Sequence, residues 1–283
     1  MTHHEIIVAI YHHFIELLTD DIISITLRMP SVVGTVQDDP FDSWVGSQLK
    51  KALPSLEVIH SGKLTTPDIL IRDKKSGAIV GLEVKKLIQK PNGADPRGLT
   101  LDYNSSIPCG QALIKVGNDT VAIPCFYIFC LLDPTSSHII TMILMDGDFL
   151  NYDFDLYKQA KVANVSEYNH GPYGEGSVRH RAMYTYPNPL NSKLSFFHLR
   201  KILVIKKFDA KVMKITDRTT HIIRRDDIYG NSFHYSIIDF SIPSIASLPS
   251  LLTDIFKKCK ERKPRRRTIA TARLEPEQEI KDD

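Results

Sequence analysis

The sequence predicts an α/β protein in which a mixed central β-sheet is flanked by helices. Three observations indicate this class: amphipathic segments near the N-terminus, a β-hairpin after them, and two long apolar segments in the middle of the chain. The chain has 283 residues, enough to bury a large core, and no linker-like segment divides it. We therefore expect a single domain over residues 1–260 and a charged, mobile tail over residues 261–283.

Two helices are predicted before the hairpin. Residues 5–18 read as an amphipathic opening helix. Residues 40–53 place apolar side chains at the i, i+3, i+4 spacing of one helical face, and Asp38 or Asp39 could cap the start of this helix. The histidines near the N-terminus lack the spacing of a helical zinc site, so we expect them at the surface and at the edge of the core.

The predicted hairpin consists of residues 66–71 and 78–86, joined by a polar turn that contains a Ser-Gly pair. Side chains on a strand alternate between its two faces, so Glu83 and Lys85 share one face while the neighbouring valines and leucine share the other. The two charged residues are then about 6.6 Å apart along the strand. A carboxylate and an amine therefore point together, away from the apolar face.

Further strands are predicted towards the C-terminus. Residues 121–132 and 138–145 are almost uninterruptedly apolar, which is typical of central strands that are buried on both faces. Strands at 201–206 and near 235–242 would complete the sheet, and a final helix over residues 245–260 would lead into the basic tail.

The charged residues of the hairpin indicate a metal-dependent hydrolase. Asp68 and Glu83 could share one hard cation, because Mg²⁺ is held by one or two carboxylates together with water and phosphate oxygens. Lys85 could orient or help to deprotonate an attacking water, or stabilise negative charge that develops on a phosphate oxygen. The reaction implied is hydrolysis of a phosphodiester. The alternative is an exposed hairpin with an ordinary charged face.

Pro67-Asp68 followed by Glu83-Val84-Lys85 resembles the PD-(D/E)xK motif of type II restriction endonucleases and related nucleases. The resemblance covers only this hairpin. It implies the restriction-endonuclease-like fold and Mg²⁺-dependent hydrolysis of both strands of a short double-stranded DNA sequence. It also implies that Asp68 and Glu83 bind the metal, that Lys85 acts on the water, and that the carbonyl of Val84 completes the coordination.

The same resemblance implies the biological setting. Enzymes of this kind act as homodimers whose two-fold symmetry matches a palindromic site. They work beside a cognate DNA methyltransferase, which places the protein in the cytoplasm of a bacterium or archaeon. Four cysteines without zinc-ligand spacing and the absence of a signal peptide agree with a reducing cytosol. The longest apolar segments are too short to cross a membrane.

In many members of this nuclease family, the helix before the first catalytic strand contributes a glutamate to the metal site. The nearest match by helical face and distance is Gln48, so it is a candidate catalytic residue here. An amide brings no charge, which argues against a second tightly held metal ion. Asp42 is the other candidate, although it lies off the apolar stripe, and Gln48 could instead be a polar residue at the edge of the core.

The predicted DNA-reading insertion covers residues 164–191, which are polar, aromatic and punctuated by glycines. Arg179 and Arg181 are the leading candidates, because a spacing of two in an extended segment puts both guanidinium groups on one side, where they could pair with guanine. The alternative is a surface loop whose arginines pair with acidic neighbours. The loop after the catalytic strand should lie beside the scissile phosphate. The predicted DNA-binding residues are Arg97, Asn104, Ser105, Lys115, Tyr173, Arg179, His180, Arg181 and Asn188.

Two other functions stay open at this point. A repair or junction nuclease of the same fold would select DNA structure rather than sequence, although the large polar insertion argues against it. A non-catalytic DNA-binding module is the second alternative. The intact acids and lysine argue against such a module, whereas Gln48 in place of a glutamate favours it. The net charge of +3 is compatible with a nucleic-acid partner but does not demonstrate one.

Overall fold

The computed structural model describes residues 1–27, 40–61, 65–93, 100–101, 110–152, 183–184, 199–227, 229–240, 260–261 and 270–274. In this part of the chain the protein is α/β, with a large mixed open β-sheet and few flanking helices. The predicted class is therefore confirmed at this level. None of the helices in these ranges is long and apolar enough to span a membrane.

The helices are few and short. They are α1 (His3–Glu16), α2 (Pro40–Ala52) and α3 (Lys207–Val212), with a further helical segment at residues 148–152 and a 3-10 turn at Thr216–Arg218. The predictions of α1 and α2 are confirmed to within two residues at each end. The start of α1 carries a capping box, in which the side chains of Thr2 and Glu5 each accept a hydrogen bond from the other residue's backbone N–H.

The strands, in chain order, are β1 (Leu18–Thr19), β2 (Ile22–Ser24), β3 (Leu56–His60), β4 (Thr65–Thr66), β5 (Ile69–Asp73), β6 (Ile79–Ile88), β7 (Thr100–Leu101), β8 (Gln111–Val116), β9 (Asp119–Leu132), β10 (His138–Asp146), β11 (Met183–Tyr184), β12 (Lys201–Lys206), β13 (Thr219–Asp226), β14 (Ser232–Ile238), β15 (Lys260–Glu261) and β16 (Ala270–Leu274). The predicted hairpin corresponds to β5 and β6. The predicted apolar strands correspond to β9 and β10, and the later ones to β12 and β14.

The main sheet has the order β13-β14-β12-β10-β9-β6-β5-β3. β6 runs parallel to β9 and β10 runs parallel to β12, whereas the other neighbours on this path are antiparallel. β9 and β10 lie in the middle and are buried on both faces, as their apolar sequences predict. The hairpin therefore lies directly beside the best-buried strands.

Each face of the sheet packs against its own apolar cluster. One cluster joins the sheet to α1 and α2, and includes Phe14, Phe41 and Phe126. The other cluster includes Tyr127 and lies with the helical segment 148–152 on the opposite face. Cys125 and Cys130 are buried and form no disulfide bond with a residue of the described ranges, as expected for small core residues.

A smaller set of strands extends from the first half of β9. β8 pairs antiparallel with that half, β16 pairs with β8, and β4 also pairs with β16. A strand, Ala270–Leu274, thus lies within residues 261–283, for which the sequence predicts a mobile tail. The basic residues before this segment dominate the composition and obscure the short, weakly charged strand that follows them. The predicted final helix falls on residues outside the described ranges, except for Lys260, which is in β15.

Candidate active site

The register of β5 and β6 brings Asp68 and Glu83 opposite each other. Ile69 pairs with Leu82, so continuing the antiparallel register by one residue places Asp68 opposite Glu83. The carboxylate of Asp68 accepts a hydrogen bond from the backbone N–H of Val84, with a donor–acceptor distance of 2.7 Å. Opposite residues of an antiparallel pair project from the same face of the sheet. The two carboxylates therefore belong to one site.

Lys85 joins this pair from the same strand as Glu83. The Lys85 ammonium forms an ion pair with Oε1 of Glu83, which confirms that both side chains project from one face. Glu83 is 4% exposed, and its Oε2 is buried without a hydrogen-bond partner among the residues that the structure describes. Such a group costs about 1–3 kcal/mol, and more when it is charged. A cation at this position would remove that cost.

The pKa of Asp68 is raised well above its ordinary value. Burial is the main cause, and the negative charge of Glu83 acts in the same direction. The Lys85 ammonium and the hydrogen bond from Val84 lower this pKa. The negative charge of Asp42 raises it further. When both acids are ionised, their negative charge exceeds what the one lysine neutralises. This combination of hard oxygens and excess negative charge suits a divalent cation such as Mg²⁺.

Two neighbouring contacts fix the backbone at Asp68. A Cβ on Gly81 would lie 2.7 Å from Cγ of Pro67, so the absence of a side chain lets the proline ring pack against β6. The backbone N–H of Ser61, just after β3, donates to the carbonyl of Asp68 at 3.0 Å. Asp68 is therefore held from both neighbouring strands.

The backbone of Val84 faces Asp68. In an antiparallel ladder, the N–H and C=O of one residue point towards the same neighbouring strand, so the Val84 carbonyl faces β5 as its N–H does. On the continued register, the residue opposite Val84 is Pro67, which has no N–H to donate. Pro67 therefore cannot engage the Val84 carbonyl in a ladder hydrogen bond, which is compatible with the predicted ligand role.

Of the two candidates on α2, Asp42 is the one whose charge acts on the acid pair. Its negative charge contributes to the raised pKa of Asp68, whereas the side chain of Gln48 interacts with His13 of α1. The apolar stripe of α2 indicates which side of the helix packs inward. It does not indicate which end of the helix lies near the start of β5, and Asp42 is in the first turn.

Most of the predicted DNA-binding residues lie outside the described ranges. They are Arg97, Asn104, Ser105, Tyr173, Arg179, His180, Arg181 and Asn188. Lys115 is described, and it is an exposed residue of β8 that pairs in register with Thr120 of β9 and Arg273 of β16. Within the predicted reading insertion, the structure describes only Met183–Tyr184, which pairs with β7 and β15. The DNA-reading role of the insertion stays a prediction.

The structure also contains a charged cluster that the sequence pattern does not reveal. Nε2 of His4 lies 3.2 Å from Oδ2 of Asp209 and 3.8 Å from Oδ2 of Asp146. Burial alone would lower the pKa of His4, but the interactions with the two carboxylates, Asp146 and Asp209, raise it overall. The His4 ring contacts Phe126, on the α1 face of the sheet, whereas Glu83 is level with Tyr127 of the other face. The cluster is therefore separate from the acid pair.

Comparison with known protein families, curated proteins and solved structures gives no match to this chain.

Proposed function

We propose that the protein is a type II restriction endonuclease that hydrolyses phosphodiesters of a specific double-stranded DNA sequence with Mg²⁺. The main observation in support is the juxtaposition of Asp68 and Glu83 on adjacent strands, with Lys85 paired to Glu83. The mixed sheet with its antiparallel hairpin is compatible with a restriction-endonuclease-like fold, which is part of this proposal.

The residues present fit a bound Mg²⁺. Asp68, Glu83 and the Val84 carbonyl offer the hard oxygen ligands that this ion prefers, and one oxygen of Glu83 is buried without a partner in the described part of the chain. Asp42 would add negative charge from α2. When bound, Mg²⁺ would lower the pKa of a water molecule and neutralise charge on the phosphate.

Lys85 would act on the reacting groups themselves. Glu83 holds its ammonium on the face of the acids, while the lysine side chain keeps 20% of its surface exposed. Solvent and a phosphate can therefore reach it. In this position the ammonium would orient the attacking water and stabilise the negative charge that develops on the phosphate oxygens.

A specific enzyme of this kind must cut two antiparallel strands. A homodimer on a palindromic site would present one copy of Asp68, Glu83 and Lys85 to each strand. Protection of the host genome then requires a cognate DNA methyltransferase, and the proposal places both proteins in a prokaryotic cytoplasm.

The test is digestion of a long unmethylated DNA by the wild type and by Glu83→Gln, each with Mg²⁺ and with excess chelator. Discrete fragments from the wild type with Mg²⁺ alone support a site-specific endonuclease, and sequencing their ends gives the recognition site. A smear that Glu83→Gln does not produce would instead indicate a nuclease without sequence preference. Uncut DNA in every lane would contradict the proposal and favour a DNA-binding module.

A further inference from the structure

We propose that β16, Ala270–Leu274, is a C-terminal strap that positions Asp68, so that the metal site is complete only when this strand is docked. The inference rests on the proposed function for the identity of the ligand. Its structural basis is independent of that function, because it consists of backbone pairing between strands that are distant in the sequence.

The C-terminal strap joins the start of the hairpin to a central strand. Its first two residues pair in parallel with β4, with Ala270 opposite Thr65 and Thr271 opposite Thr66. Its last three residues pair in parallel with β8, ending at Leu274 opposite Val116. β8 in turn pairs along its whole length with the first half of β9. The strap therefore links β4, through β8, to the central strand β9.

β4 leads directly into Pro67-Asp68. Within the described ranges, β16 is the only strand that pairs with β4, and β4 has just two residues. Such a short strand has little stability of its own and depends on its partner. Ser61 and Val84 hold Asp68 itself, but the chain that enters this position from Thr66 is held by the C-terminal strap.

The charges around Asp68 explain why this support matters. Asp68 lies opposite Glu83 on the continued register of β5 and β6, so the two carboxylates repel each other when no cation lies between them. A metal site binds tightly when its ligands are held in place before the ion arrives. By fixing the residues before Pro67, the strap would oppose the displacement that the like charges favour.

The test compares Thr271→Pro with the matched substitution Thr220→Pro in the full chain. Proline cannot donate a ladder hydrogen bond, so Thr271→Pro should disrupt the pairing with β4. Thr220 lies at an irregularity of β13, at the far edge of the sheet, where a proline should be tolerated without affecting the site. Titration calorimetry with Mn²⁺ reports the metal site, and amide hydrogen exchange of Thr65 and Thr66 reports the strap.

We expect Thr271→Pro to weaken Mn²⁺ binding by about tenfold or more, the scale on which residues that support metal ligands act. Residues 65–66 should exchange faster, while β6 keeps its protection and Thr220→Pro behaves as the wild type does. Unchanged Mn²⁺ affinity in Thr271→Pro would overturn the inference, even if exchange increased. Thr271→Gly provides a milder disruption of the same pairing if the proline variant does not fold.

Failure of the proposed function would be visible separately. A wild-type protein that does not bind Mn²⁺ contradicts the metal site, and with it the role of the strap in positioning a ligand. The exchange of residues 65–66 would still decide whether β16 holds β4. If residues 65–66 exchanged at wild-type rates in Thr271→Pro, this result would overturn the inference that β16 holds β4.

Discussion

Asp68 and Glu83 meet across two neighbouring strands, and their mutual repulsion is only partly offset by Lys85. This arrangement follows from the antiparallel register of β5 and β6. The last paired residues of that ladder are Ile69 and Leu82, and Asp68 and Glu83 are the next residues on each strand. The arrangement makes the site electrostatically unfavourable without a cation, and it would provide carboxylate ligands for the divalent cation of the proposed function. The cost to stability and the proposed function therefore have one origin.

Asp68→Asn should stabilise the metal-free protein at neutral and alkaline pH. The folded state raises the pKa of Asp68 above its ordinary value of 3.8. The contribution of this group to stability is therefore complete below that value, and it is lost as the pH rises through the raised pKa. We expect Asp68→Asn to melt several degrees above the wild type at pH 8 in chelator, with a difference that shrinks towards pH 4. If Asp68→Asn melted at the same temperature as the wild type at pH 8, this result would contradict the raised pKa of Asp68.

Lys85→Met should destabilise the protein by about 2–3 kcal/mol, because it leaves the buried carboxylate of Glu83 without its cation. The double variant Lys85→Met/Glu83→Gln should recover most of this loss in urea unfolding, although neither variant should cleave DNA. Lys86→Met is the matched control. Its ammonium lies 5.6 Å from the centre of the Phe41 ring, on the other face of the strand, so its loss leaves Glu83 paired with Lys85 and should not be recovered by Glu83→Gln. If the effects of Lys85→Met and Glu83→Gln on the free energy of unfolding were additive, this result would contradict the ion pair between Lys85 and Glu83.

Asp42→Asn and Gln48→Ala should separate the two roles of α2. Removal of the Asp42 charge should weaken Mn²⁺ binding and slow cleavage, because less negative charge then faces the cation. Gln48→Ala should leave Mn²⁺ binding and cleavage unchanged. It should reduce the free energy of unfolding by about 0.5–1.5 kcal/mol, because the interaction with His13 is lost. Calorimetry and urea unfolding measure these effects. A larger loss of metal affinity in Gln48→Ala would reverse the assignment.

His4→Gln should remove a pH-dependent part of the stability. The pKa of His4 lies above its ordinary value of 6.5 because Asp146 and Asp209 outweigh the opposing effect of burial. Its contribution is therefore complete below pH 6.5 and is lost as the pH rises through the raised pKa. In urea unfolding, the free energy of unfolding of the wild type should exceed that of His4→Gln most at pH 6 and least near pH 9. A difference that stays constant across this range would show that the ion pairs contribute nothing.

Local patterns were sufficient to predict the hairpin and the shared face of Glu83 and Lys85. Alternation along a strand depends on neighbouring residues alone, and the ion pair confirms it. The long apolar segments likewise predicted β9 and β10, because burial on both faces leaves few polar residues in a strand.

The features that the sequence did not reveal depend on contacts between distant segments. The choice between Asp42 and Gln48 depends on how α2 crosses the sheet, which its apolar stripe does not specify. The C-terminal strap exists because two distant edges, β4 and β8, are both available to a short strand. The cluster of His4, Asp146 and Asp209 likewise forms only when α1 and α3 meet at the end of β10.

The most direct test of the central claim is the rate at which supercoiled plasmid is cleaved in Mg²⁺ by the wild type, by Asp68→Asn and by Asp217→Asn. Asp217 has a side chain that is 76% exposed, and it provides the same substitution away from the site. We expect Asp217→Asn to match the wild type and Asp68→Asn to be slower by about a hundredfold or more, equivalent to about 3 kcal/mol of transition-state stabilisation. Equal rates for Asp68→Asn and the wild type, or equal wild-type cleavage in excess chelator, would contradict a metal-dependent nuclease site at Asp68 and Glu83.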